Sequence, residues 1–265
     1  MNTMKQFVLA TLAILGVAST NMMAQDEPKA SMQIDLLSNY LWRGSDLGGI
    51  CVQPSAEINW MDATLKVMGS SPLRRDDPKE IDVTLGYKYD NFNFGLTDYW
   101  QSGLDYDGND LYFSFNPRRS GHRLEANIGY TYHIFTFQAY TMIFGNDYKY
   151  KNMQELDARK GKRAFSTYIE AGANFFWAGI DWDARLGFTP FAGANTIKQV
   201  GEVNGYPLMK KEYFYADGPS IVRASARMTK HFKLGEIKCP VFAELHTNPY
   251  MKTANFMVGV SVIPF

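Results

Sequence analysis

The segment "ELHTNPY", residues 244–250, is the stretch of the chain best suited to acid–base chemistry. Glu244, His246 and Asn248 recur at every second position, so an extended backbone turns all three to one side. A histidine beside a carboxylate is a common general base for activating a hydroxyl nucleophile. The other histidines are His122, His133 and His231, and none of the four begins a His-x-Ser pair that would align base and nucleophile on one strand face. His246 is therefore expected to be a hydrogen-bonded histidine paired with Glu244 or Arg223, and no catalytic residue is assigned. "DYDGND", residues 105–110, is rich in oxygen but lacks the spacing and the closing Glu of an EF-hand, so a solvated loop is expected there. No phosphate-binding loop, dinucleotide fingerprint, zinc spacing or nucleic-acid motif occurs, so no cofactor, metal or nucleic-acid partner is expected.

Charge totals agree with that: 27 basic and 27 acidic residues among 265 leave no net field to draw in a polyanion. The chain opens with "MNTMKQFVLATLAILGVASTNMMA", which reads as a secretory signal. Lys5 supplies the charge, Phe7 to Val17 the apolar stretch and Ala24 the cut, which leaves one domain over 25–265. Beyond it no apolar run approaches the roughly 18 to 20 residues that a helix needs to cross a bilayer. Any spanning structure must consist of strands.

From Ser31 onward the pattern has period two. In "KEIDVTLGYKYD" Ile81, Val83, Leu85 and Tyr87 oppose Asp82, Thr84, Gly86 and Lys88, and "RLEANIGYTYH" and "IDWDARLGF" alternate likewise. Tight turns fix which residues face one another. Turns at Met61–Asp62, Asp90–Asn91 and Ala178–Gly179 set Glu57 opposite Lys66, Tyr87 opposite Phe94 and Phe175 opposite Trp182, matching like with like. A turn at Leu234–Gly235 would place Ala226 opposite Ala243, with Glu244 between Arg223 and Arg227. Short and long connections alternate, as in an up-and-down barrel. The expectation is an all-β, transmembrane, antiparallel β-barrel of about twelve strands, or fourteen if "DLYFSF", 110–115, adds a hairpin.

A soluble sandwich also alternates, but three features favour a membrane. Trp60, Trp177 and Trp182 sit beside the short turns, and Trp42 and Trp100 near the long connections, as two interfacial girdles require. The polar face carries Arg43, Glu57, Lys66, Asp82, Lys88, Glu125, Glu170, Asp183, Arg185, Arg223, Arg227, Glu244 and His246, which would line the lumen. The chain also ends "FMVGVSVIPF", a strand closing on Phe265 that looks like the assembly signal of outer-membrane barrels. In "MQIDLLSNYLWRG" this scheme points Trp42 at lipid and Arg43 inward, with Gly44 opening a loop. Cys51 and Cys239 fall near opposite rims, too far apart for the roughly 7 Å between alpha carbons that a disulfide spans.

"SNYLWRG", "VQPSAEINW", "EIDVTLGYKYDNFNFGLTDYW" and "RLEANIGYTY" resemble the TorF-type porins, most clearly over residues 31–133. Tyr40, Trp42, Arg43 and Gly44 carry the distinctive Tyr-x-Trp-Arg-Gly element. The resemblance implies an outer-membrane barrel and a pore role in a Gram-negative bacterium, and brings no catalytic residues with it. Twelve strands enclose an interior of intermediate width, and balanced charges would zip across it, so a narrow or plugged passage for small solutes is expected. A lipid-modifying barrel enzyme, or an adhesive barrel acting through loops 146–163 and 191–218, are the alternatives. The expected partners are outer-membrane lipid, lipopolysaccharide near Arg159, Lys160, Lys162 and Arg163, and the barrel-assembly machinery at the last strand.

Overall fold

The computed structural model describes residues 27–74, 77–103 and 110–264. The signal segment, Phe265 and all of "DYDGND" but Asp110 lie outside the described residues.

Twelve antiparallel strands close into one barrel. They are β1 (Lys29–Leu37), β2 (Cys51–Trp60), β3 (Ala63–Pro72), β4 (Glu80–Tyr89), β5 (Phe92–Gln101), β6 (His122–Tyr132), β7 (Phe135–Gly145), β8 (Thr167–Trp177), β9 (Ile180–Thr189), β10 (Ser220–Lys230), β11 (Val241–Asn248) and β12 (Thr253–Val262). Each pairs with its sequence neighbours, and Ile34–Leu37 of β1 pairs with Gly259–Val262 of β12 to shut the ring. Closure removes the free edges that an apolar solvent could not satisfy. "DLYFSF" contributes turns rather than a strand, which settles the count at twelve.

The outer wall is apolar. Leu65, Leu85, Leu96, Ile128, Ile169, Leu186, Leu245 and Phe256 are all exposed on it. A closed ring that turns its large hydrophobic side chains outward from strand to strand is built for a lipid surround, since water would penalise so continuous an apolar patch.

The hairpin registers at Met61–Asp62, Asp90–Asn91 and Ala178–Gly179 are as the turns predict, with Glu57 opposite Lys66 and Phe175 opposite Trp182. The fourth differs. Leu234 pairs with Ile237, so the turn is Gly235–Glu236, and glycine takes the first central position with φ of 62°. That is where a two-residue hairpin turn needs a left-handed residue, which leucine would resist. Ala226 therefore faces Leu245 instead of Ala243, and Arg227 faces Glu244 directly. A one-residue change of turn moves the register by two, so every side chain keeps its face.

The inner face is not uniformly polar. Leu37, Cys51, Phe242 and Met257 form a buried apolar cluster on the lumen side. Cys51 lies within it and Cys239 lies beyond the β10–β11 turn, and neither is bridged. Two long connections are themselves structured. Residues 146–166 carry helix α1 (Met153–Asp157), capped by the Asn152 side chain accepting from the Glu155 amide, and 190–219 forms a hairpin of Asn195–Val203 and Tyr206–Tyr213.

Cysteine pairs report the β10–β11 register directly. In a background carrying Cys51→Ala and Cys239→Ser, Ala226→Cys with Leu245→Cys is expected to cross-link on mild oxidation, and Ala226→Cys with Ala243→Cys is not. The reverse pattern on a non-reducing gel would restore the Leu234–Gly235 turn.

Candidate functional site

The connection after β1 does not project from the barrel; it folds back into it. β1 stops at Leu37, and Tyr40–Trp42 pairs with Ser45–Gly48 in a small hairpin turning on Arg43 and Gly44. Both turn residues have positive φ, 44° and 92°, as the tightest hairpins require. The tip is seated against β10 and β11. The Gly44 amide donates to His246 Nε2 at 2.8 Å, and Asn248 Nδ2 donates to the Gly44 carbonyl at 3.0 Å. A Cβ at position 44 would stand 1.8 Å from the Val222 carbonyl oxygen, so only glycine fits. Because Nε2 accepts, the His246 proton belongs on Nδ1, where it meets Glu244 Oε1 at 2.9 Å. Both ring nitrogens are thus engaged in holding the hairpin, and the partner expected at Glu244 is the one found.

Arg43 is the centre of this seat. Only 8% exposed, it reaches Glu125, 1% exposed, through two parallel bonds of 2.5 and 2.8 Å, and donates to the Tyr215 hydroxyl at 2.9 Å. Its guanidinium lies 3.9 Å from the Tyr140 ring centroid, 4.6 Å from Trp42 and 5.0 Å from Tyr168. Burial pushes the Tyr215 phenol up from its ordinary value, which keeps it a neutral acceptor. Tyr99 donates to Glu125 at 3.0 Å, and Tyr40 and Gln101 donate to Glu80 at 2.9 and 3.0 Å. A planar guanidinium suits such a seat, since it can bond a carboxylate in its plane and stack on rings above and below.

This corrects the reading of Trp42 as a lipid-facing girdle residue. Its ring packs inside the mouth against Tyr99, Phe214 and Tyr215, with centroids 5.9, 5.7 and 6.1 Å away. Gly44 likewise completes a tight turn rather than releasing a loop. Trp100 is a second correction: it points outward but is buried, because residues 111–115 fold over it. Trp60 and Trp177 are exposed, and Trp182 stacks on Phe175 at 6.3 Å.

Beneath the hairpin lies a polar cavity of about 380 Å³, lined by Thr136, Gln138, Tyr140, Glu170, Asp183, Arg185, Arg223 and Arg227. Thr136 and Asp183 place one end of its lining near the tight turns, while Tyr140 at the other end stacks under Arg43. Its charges are cross-linked. Arg223 spans Glu170 at 2.9 Å and Glu244 at 3.2 Å, and Arg227 bonds Glu244 at 2.8 Å, so Glu244 meets both arginines although the shifted register sets it opposite Arg227 rather than between them. Arg185 bonds Asp183 at 2.7 Å, Thr136 at 2.6 Å and Asn174 at 3.0 Å.

The remaining candidates are spread along the wall. Glu57 faces Lys66 across the β2–β3 pair and accepts from Asn59 at 2.7 Å, Asp82 is buried, and Lys88 is exposed beside the 90–91 turn. Sequence reasoning missed Glu80 and the tyrosines of the seat. The usable signal was parity: Tyr99, Tyr140 and Tyr168 occupy the alternation's polar side.

No family model matches the chain, and no curated protein matches its sequence. Solved structures show a distant similarity to it. A chain from "Unveiling the Mechanism Behind the in-meso Crystallization of Membrane Proteins" is 8% identical with a TM-score of 0.42, covering 88% of this chain and 82% of that one. Salmonella typhi OmpF in complex with daunomycin is 10% identical with a TM-score of 0.34, covering 90% and 97%. Scores this low add nothing to the strand pairing described above.

Removing one partner of a buried, bidentate pair strands the other charge, at a cost of about 3 kcal/mol or more. Arg43→Ala and Glu125→Ala are each expected to lower the unfolding free energy of the refolded barrel by about that amount in urea titrations. The double variant should lose clearly less than the sum. Strictly additive losses would show that the two side chains do not support each other.

Proposed function

We propose that the protein is an outer-membrane barrel that passes small solutes through a narrow lumen, with the Tyr40–Gly48 hairpin as its constriction. The carrying observation is the seat of Arg43: the obstruction is a polar one, held by hydrogen bonds and an ion pair, beside a cavity lined by charged side chains. Such a contact can loosen without unfolding the wall, whose own hydrogen bonds are complete without it. The apolar outer wall supports the membrane location, and the signal-like N-terminal segment supports export to it. The resemblance of residues 31–133 to TorF-type porins belongs to the same reading, as do contacts with lipopolysaccharide and with the assembly machinery at the last strand.

Balanced charges set the expected selectivity. The three arginines around the cavity are matched by Glu170, Asp183 and Glu244, so neither sign of ion gains a continuous path.

Recordings from purified protein in planar bilayers test this. Wild-type protein is expected to give small, infrequent conductance steps with a reversal potential near zero in a salt gradient. Arg43→Ala should give larger and more frequent ones. Silence from both proteins, with correct folding shown by their strand content, would rule out a channel.

A further inference from the structure

One stretch of the outer wall near the long-loop rim carries a polar pair where lipid contact is the rule. On β5 the outward positions run Phe92, Phe94, Leu96, then Asp98 and Trp100; on β6 they run Tyr130, Ile128, Ala126, Leu124 and then His122. His122 Nδ1 lies 2.8 Å from Asp98 Oδ2. A carboxylate on the lipid side of a barrel is costly unless paired and shielded. The shield is the loop before β6. Its Tyr112 carbonyl lies 2.5 Å from His122 Nε2, and the rings of Tyr112 and Phe115 cover the imidazole with centroids at 5.2 and 4.6 Å. Tyr112 also packs edge-on against Trp100 at 5.6 Å. His122 is left only 2% exposed.

Covering the pair turns the other side of the loop outward. Leu111 and Phe115 are each 56% exposed and Phe113 is 85% exposed. Phe113 packs edge-on against Tyr112 at 5.1 Å and Phe115 lies against His122, so the cluster sits beside the outward-facing Trp100 and His122 of the wall. Water offers such a cluster nothing, whereas acyl chains at that level would cover it.

We propose that residues 111–115 form a membrane anchor. The loop inserts Leu111, Phe113 and Phe115 among the upper acyl chains of the outer leaflet, and so takes over the interfacial role that the buried Trp100 cannot fill. The Asp98–His122 pair, with its imidazole buried and its carboxylate half-covered, acts as the peg that fixes the loop to the wall, and aromatic side chains are well suited to the boundary depth. The proposal rests on the membrane-barrel reading above, and its test separates the two.

Single cysteines are introduced by Phe113→Cys, by Phe94→Cys on the outer wall and by Asn204→Cys at the tip of the 195–213 hairpin, in the Cys51→Ala, Cys239→Ser background. Each is labelled with an environment-sensitive fluorophore and reconstituted into phosphatidylcholine vesicles containing lipid with a nitroxide high on its acyl chain. The expected result is several-fold quenching at 94 and at 113, with little at 204. Quenching at 94 alone, with the probe at 113 behaving like that at 204, overturns the anchor and leaves the barrel in its membrane. Quenching at none of the three overturns both. Phe113 is 85% exposed, so its substitution leaves the packing of the wall intact.

Discussion

A guanidinium shut away from water must have its charge answered where it lies, and in this barrel the answer to Arg43 is the single carboxylate of Glu125. The rest of the mouth follows from that contact. Glu125 is fixed by the wall strand β6 and by Tyr99, so it defines a point in the lumen, and the hairpin from β1 must bend inward to reach it. Gly44, His246 and Asn248 hold the tip from the opposite wall, while Tyr140, Tyr168 and Tyr215 close around the guanidinium from three separate segments. An ion pair of this kind adds little net stability compared with apolar packing, but it specifies one position sharply.

The two surfaces of the wall obey different rules, and the structure shows where each gives way. Outside, the wall is largely apolar, and near the rim a loop covers the polar Asp98–His122 pair. Inside, water permits charge, yet Leu37, Cys51, Phe242 and Met257 form a buried apolar patch. The arginines and carboxylates of the lumen neutralise each other in chains rather than in isolated pairs, with Arg223 shared by Glu170 and Glu244.

Strands and tight turns were legible because lipid and water sort side chains with a strict period of two, and because a two-residue turn makes partner positions sum to a constant. Glu57 opposite Lys66 and Phe175 opposite Trp182 follow from that arithmetic alone. The same arithmetic misplaced the β10–β11 register, since neighbouring turn choices keep the same faces and only the left-handed glycine at 235 distinguishes them. The Trp42–Arg43 element was misread for a related reason. Alternation continues through Tyr40 and Trp42 after the wall strand has ended, and an inward hairpin has the same period as a wall strand. Parity says which side of a strand a residue occupies; it does not say that the strand still belongs to the wall. Trp100 shows the further limit that a loop of uncertain path, "DLYFSF", decides whether an outward ring meets lipid.

Backbone hydrogen exchange of the barrel in lipid nanodiscs tests the inward hairpin most directly. Peptides covering residues 40–48 should exchange slowly, on the timescale of the β6 wall strand, because the Gly44 amide is bonded to His246 and the whole turn is enclosed. The exposed tip at 200–208 should exchange fast. Exchange of 40–48 as rapid as that tip would mean that the hairpin lies in solvent and that Arg43 does not close the mouth.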